Sequence, residues 1–326
     1  MTRWLKYLVA AASVAFLAAC GGGDDDEDTT AAPSIVEVAQ SDANFSTLVA
    51  AVVKADLVGT LSGDTQLTVF APTNAAFDAA ARAIGLADGA ALVNALPADA
   101  LVKILTYHVV AGDNPSTALT AGSLNTLYTF EGSPAALDLS LTGGVRLTDE
   151  LGTTATVTTA DLDARNGVVH VIDKVLVPPG VLNLVQMAQL NPAFSVLVEA
   201  VVEAGLVDTL SGAGPFTVFA PTNDAFTAAL DELDLTKDEL LASPDLAAIL
   251  TYHVVGDEVR AAEVAALVSS GPADVVTLQG DTFRVGTDLL ITDGRSRTAN
   301  LVATDVVASN GVIHVIDRVL LPPVAP

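Results

Sequence analysis

The chain has 326 residues, of which 51% are hydrophobic, with one cysteine and a formal net charge of -25. One cysteine excludes an internal disulfide, and the acidic balance makes nucleic acid and anionic lipid headgroups poor partners, because their phosphates would be repelled. The charge divides as +2 over residues 1–20, -5 over 21–32, -9 over 33–179 and -13 over 180–326.

The first 20 residues read as an address and an anchor. Arg3 and Lys6 precede the apolar run Leu8 to Ala19, which is too short to span a bilayer. The ending Leu17-Ala18-Ala19-Cys20 resembles a bacterial lipobox, which implies a lipoprotein signal peptide and lipidation of Cys20. Two or more acyl chains on one residue anchor a protein stably. Residues 21–32 (GGGDDDEDTTAA) then form an acidic, glycine-rich tether, with carboxylates too tightly clustered for a dedicated calcium loop. By resemblance to sorted lipoproteins, Gly21 after the cysteine favours the outer membrane where the source has two membranes.

From there the chain is written twice. TVFAPTNAAF at Thr68 to Phe77 returns as TVFAPTNDAF at Thr217 to Phe226. Thr68, Val69 and Phe70 read as a buried strand, Pro72 ends it, and Thr73 caps a helix that carries Phe77 one turn on, placed to staple back onto Pro72. Upstream, Phe45, Leu48, Val49, Val52 and Val53 fall on one helical face, as do Phe194, Leu197, Val198, Val201 and Val202. Downstream, a helix near Pro97 to Tyr107 is matched by Pro244 to Tyr252. Val-, Thr- and Ile-rich segments follow, at Thr153 to Thr159 and Val168 to Val177, and Asn166-Gly167 and Asn310-Gly311 signal hairpins of the type I′ kind. Helices followed by a mostly antiparallel set of strands is an α+β arrangement. A period near 145 residues is too long for a solenoid and predicts two tandem globular domains, 33–179 and 180–326, joined with little linker.

The ordered motifs TVFAPTN-x-AF, YH and NGV-[VI]-HVID-x-VL, each present twice, resemble the fasciclin (FAS1) domain. That resemblance implies a compact α+β fold, an extracellular adhesion or matrix role and no enzymatic activity. It also marks Thr73, Asn74, His170 and Asp173, with Thr222, Asn223, His314 and Asp317, as structural motif residues. In animal members the tyrosine-histidine motif is linked to adhesion, which makes Tyr107-His108 and Tyr252-His253 candidate contact residues here. The helical pattern points another way: Leu101, Ile104, Leu105 and His108 share one face, as do Leu246, Ile249, Leu250 and His253, which favours core histidines.

Catalysis and metal binding find little support. His170 and Asp173 are three apart on a predicted strand and so face opposite ways. No nucleophile elbow, dinucleotide loop or H-E-x-x-H motif occurs, and Asp161, Asp163 and Asn166 have the wrong spacing for a calcium loop. Two histidines and no cysteine per domain are a poor zinc set, and no cofactor is expected. Two functions remain open: a surface-anchored adhesion module with a protein or glycan partner, or a binding protein for a small apolar or glycan ligand. A polar cleft between the copies would favour the second.

Overall fold

A computed structural model describes residues 32–324. Cys20, the signal segment and most of the tether therefore lie outside the described residues. The first copy opens with three helices, Ile35–Ser41, Ser46–Lys54 and Val58–Leu61, and then reaches the strand Leu67–Pro72. Thr73 caps the next helix, Asn74–Ala83, its hydroxyl accepting from Ala76 N–H at 3.3 Å. Two more helices, Gly89–Ala95 and Ala98–Tyr107, lead into the β-rich half. The second copy repeats this plan, with Thr222 capping Asn223–Leu233 and the later helix confined to Leu246–Tyr252.

The residue after each cap ties the corner to the helices before it. Asn74 accepts from Thr47 N–H at 2.9 Å and donates to Ala43 C=O and Ser46 Oγ, and Asn223 repeats all three bonds with Val196, Pro192 and Ser195. Asn74→Ala is expected to remove three such bonds and cost about 1–3 kcal/mol in a urea titration, with Asn223→Ala similar.

The first copy forms one seven-stranded sheet in the order Val109–Ala111, Leu67–Pro72, Gly167–Ile172, Thr154–Ala164, Arg146–Thr148, Ser133–Ser140, Gly122–Phe130. In the second copy the equivalent strands split into two four-stranded sheets. Most pairs are antiparallel, but Leu67–Pro72 lies parallel to Gly167–Ile172, with Phe70 opposite His170, and Phe216–Pro221 lies parallel to Gly311–Ile316, with Phe219 opposite His314. The sheets that hold these central strands are thus mixed, because the chain lays helices and further strands between the two parallel partners.

Three local expectations are corrected. Val53 and Val202 are 59% and 56% exposed, and Ala51 and Ala200 fill the buried stripe instead, since the helical period admits either neighbour. The segment Val168 to Val177 is strand only as far as Ile172. The hairpin turns are not type I′: Arg165 and Asn166 both have negative φ, and the positive φ belongs to Gly167 at +135°, the first strand residue. Glycine is required there because a Cβ on Gly167 would lie 1.8 Å from Leu67 O, and one on Gly311 would lie 2.0 Å from Phe216 O. Asn166 works at long range instead. Its amide accepts from Ile35 N–H at 3.0 Å and donates to Leu61 C=O at 2.9 Å, pinning the first and third helices to the hairpin; Asn310 does the same for Leu184 and Leu210.

The copies pack as one compact unit. Leu151 and Val177 of the first copy are buried in the core of the second, beside Leu182 and Leu184. Leu151 C=O accepts from Asn191 Nδ2 at 3.0 Å, and Glu150 accepts from Val307 N–H at 3.1 Å. Glu131, at the tip of the first copy's longer hairpin, forms a two-pronged ion pair with Arg260 at 2.6 and 2.7 Å.

Candidate functional site

The tyrosine-histidine pairs are placed at the end of the helices Ala98–Tyr107 and Leu246–Tyr252, with each histidine at the C-cap. Tyr107 and Tyr252 are 0% exposed, and His108 and His253 are 2% exposed. The helical stripe decides this: Leu101 and Leu105, with Leu246 and Leu250, carry their neighbours inward. Tyr107 Oη donates to Ala136 C=O at 3.0 Å and Tyr252 Oη to Thr282 C=O at 2.8 Å, bonding helix to sheet, while the Tyr107 ring meets Tyr128 edge to face. Burial pushes both phenols up, that of Tyr252 to about 12. The reading of Tyr107, His108, Tyr252 and His253 as a contact motif is therefore corrected, because none of the four presents a surface to a partner.

Each histidine in these pairs is held in one tautomer by its partners. His108 Nδ1–H donates to Ile104 C=O at 2.8 Å and Nε2 accepts from Leu176 N–H at 2.9 Å; His253 bonds Ile249 and Leu320 in the same way. A ring whose second nitrogen must accept cannot take a proton without breaking that bond. Burial holds the pKa of each down at about 4.

His170 and His314 are also buried, stacked against Phe70 and tilted against Phe219. His170 Nε2–H donates to Asn114 C=O at 3.0 Å and Nδ1 accepts from Asp161 N–H at 3.3 Å, while His314 bonds Val259 and Asp305. Neither touches the aspartate of its own motif. Asp173 and Asp317 instead accept from the backbone N–H groups of Thr156 and Asn300, each at 2.7 Å. The Ser116 hydroxyl, whose partner Asp161 also bonds His170 through its N–H, donates to the Asp161 carboxylate at 2.5 Å rather than to an imidazole. The parts of a nucleophile, base and acid are present here, but their hydrogen bonds run in the wrong order for catalysis.

What remains outside these cores is the ground between the copies. Glu150 accepts from Val307 N–H of the second copy at 3.1 Å, and its pKa is pushed up to about 7, chiefly by burial, with Asp149 and Asp305 adding to the rise and the Val307 bond and Arg260 opposing it. A cleft of about 570 Å³ also opens between the copies, lined among others by Ala79, Ala83, Thr153 and Lys174 of the first copy and Gln189 and Leu190 of the second. That volume falls within the range of small-molecule sites. Two voids within the helical halves are about 30 and 40 Å³, room for a few waters at most. Glu150, Leu151 and Thr153 were not recognisable from either copy read singly. Their signal is the difference between copies, since Gly294, Arg295 and Arg297 occupy the same places in the second.

Comparison with known proteins gives this arrangement relatives. The fasciclin domain model matches residues 43–178 and 192–322. Protein sll1483 of Synechocystis sp. is 47% identical over 150 residues, which cover 44% of this chain and 74% of that protein. Transforming growth factor-beta-induced protein ig-h3 of Sus scrofa is 32% identical over 298 residues, covering 90% of this chain. The chain spans only 38% of the pig protein's length. Among solved structures, a FAS1 domain pair from the insect cell adhesion molecule fasciclin I aligns at a TM-score of 0.45 and 20% identity, covering 84% of this chain and 95% of that one.

Proposed function

The chain belongs to the fasciclin domain family, and on that premise we propose that it is a lipid-anchored adhesion module of the cell envelope, binding a protein or glycan partner at the surface or in the matrix. The observation that carries this reading is the joint between the copies. Leu151 buried in the second core and the Glu131 to Arg260 ion pair hold two domains at fixed spacing. Two surfaces held in register bind a multivalent partner more tightly than either alone, without any single strong site. Consistent with a non-enzymatic role, the motif histidines are engaged in structural hydrogen bonds.

The anchor in this reading is Cys20, with the acidic tether carrying the domains clear of the membrane and the outer membrane favoured where there are two. Metabolic labelling with a clickable fatty acid tests it. Wild type should be labelled and sediment with membranes, whereas Cys20→Ser should lose the label and become soluble. An unlabelled wild type, or a mutant that stays bound through carbonate washing, would defeat the anchor. A second reading, a binding protein with its ligand between the copies, is favoured by one observation, the 570 Å³ cleft.

A further inference from the structure

The duplication supplies an internal control for that cleft. In the second copy the corresponding corner is closed by the protein's own side chains. Arg297 donates to Asp293 Oδ2 through Nε at 2.9 Å and Nη2 at 2.6 Å, to Val319 C=O at 2.7 Å, and to Glu232 at 3.2 Å. Glu232 also pairs with Arg318 at 3.3 Å. The arginine is nearly buried by this network.

In the first copy the acceptors persist but the arginine does not. Asp149, Val175 and Lys174 stand where Asp293, Val319 and Arg318 stand, while Thr153 replaces Arg297 and Ala83 replaces Glu232. The backbone outline is kept: Val177 N–H donates to Asp149 Oδ2 at 3.1 Å just as Leu321 N–H donates to Asp293 Oδ2 at 3.0 Å. Thr153, on the cleft wall, reaches Asp149 Oδ1 with its hydroxyl at 2.7 Å, which leaves Oδ2 without the guanidinium its counterpart has. Among the described residues Val175 C=O accepts no hydrogen bond, and Lys174 Nζ is within pairing distance of no carboxylate. Burial pushes Lys174 down and Asp149 up, as expected of two desolvated charges that are near but not in contact.

We propose that the inter-copy cleft is a receptor for a guanidinium group, taking an arginine side chain of a basic partner protein into the place that Arg297 fills in the second copy. A guanidinium suits the site better than an ammonium because its planar fork can serve the Asp149 carboxylate and the Val175 carbonyl at once, as Arg297 serves Asp293 and Val319. Ala79, Ala83 and Leu190 offer an apolar wall to the arginine stem. The partner is basic because the chain carries a net charge of -25, a field that draws cationic surfaces in and holds acidic ones off. Lys174, on the same wall and drawn toward Asp149 without contacting it, opposes an entering cation and limits the affinity of the site. The proposal deepens the adhesion reading by naming a contact chemistry, and a soluble probe tests it without requiring adhesion or the anchor.

The test is titration of the full chain with N-acetyl-arginine amide and N-acetyl-lysine amide, followed by amide chemical shifts around Thr153 and Lys174. The arginine probe should saturate in the millimolar range and the lysine probe should bind at least about tenfold more weakly, as expected for a two-acceptor site. Thr153→Arg, which transplants the second copy's own plug, should abolish binding. Ala83→Glu, which restores the missing carboxylate, should tighten it several-fold. Equal binding of the two probes, no shift at any arginine concentration up to tens of millimolar, or unchanged binding in folded Thr153→Arg would each overturn the site. Should Thr153→Arg fail to fold, Ala83→Glu decides alone: unchanged or weaker arginine binding in that variant contradicts the proposal.

Discussion

Acidification from pH 6.5 to pH 4 is expected to destabilise the protein by several kcal/mol, through His108 and His253. Both imidazoles have folded pKa values of about 4 against an ordinary 6.5, because burial disfavours their charged form. The native state therefore binds fewer protons than the unfolded chain in that window. The stability the neutral rings contribute is fully present above pH 6.5 and is lost as pH falls through 4, at about 3 kcal/mol per ring. Glu150 works in the opposite sense. Its folded pKa of about 7 lies above its ordinary 4.5, so its contribution is fully present below pH 4.5 and is lost as pH rises through 7, amounting to about 3 kcal/mol. Two histidines outweigh one glutamate, and together these three groups lose about 3 kcal/mol by pH 4; His314, held down by burial, adds to the loss and Asp149, pushed up by burial, opposes it. Urea titrations at pH 8, 6 and 4 check this. Glu150→Gln should be more stable than wild type at pH 8 and should steepen the acid loss; a wild type whose stability is flat or rises between pH 6.5 and 4 would show that these rings are not buried neutral.

The elements most legible in the sequence are those determined within about ten residues. Thr68 to Phe77 encodes a strand, its stop and the next helix's cap locally, so the decapeptide reads the same in sequence and structure. The stripe from Phe45 to Val52 is legible for the same reason, while the choice between Ala51 and Val53 depends on what packs above it and is not. Asn166 shows the limit more sharply. Beside Gly167 it looks like a turn residue, but its bonds run to Ile35 and Leu61, more than a hundred positions away, and nothing local announces them. Burial of Tyr107 is equally hidden, since a tyrosine on a helix face suits either a core with an acceptor or an exposed contact; the Ala136 carbonyl that decides the matter comes from a distant strand. The joint between the copies was legible in principle. Leu151 and Arg295 occupy one aligned position, one entering the neighbouring core and the other exposed, and only reading the copies against each other exposes that contrast.

Tyr107→Ala is expected to cost about 3–5 kcal/mol, the range for deleting a fully buried aromatic ring, and Tyr252→Ala about the same. The ring's contribution separates from that of its hydroxyl. Tyr107→Phe keeps the edge-to-face contact with Tyr128 and loses only the bond to Ala136, for about 1 kcal/mol. His108→Ala leaves Leu176 N–H and Ile104 C=O unpaired beside a cavity and should cost a few kcal/mol. These four residues hold helix to sheet, so any adhesive contact must lie on other surfaces. The decisive measurement is cell adhesion per folded molecule for the Tyr107→Phe, Tyr252→Phe double variant and for His108→Ala, each at a temperature where its melting curve shows it folded. Adhesion per folded molecule should equal that of wild type in both; an unchanged melting temperature with adhesion abolished would contradict the structural role and return the motif to the surface.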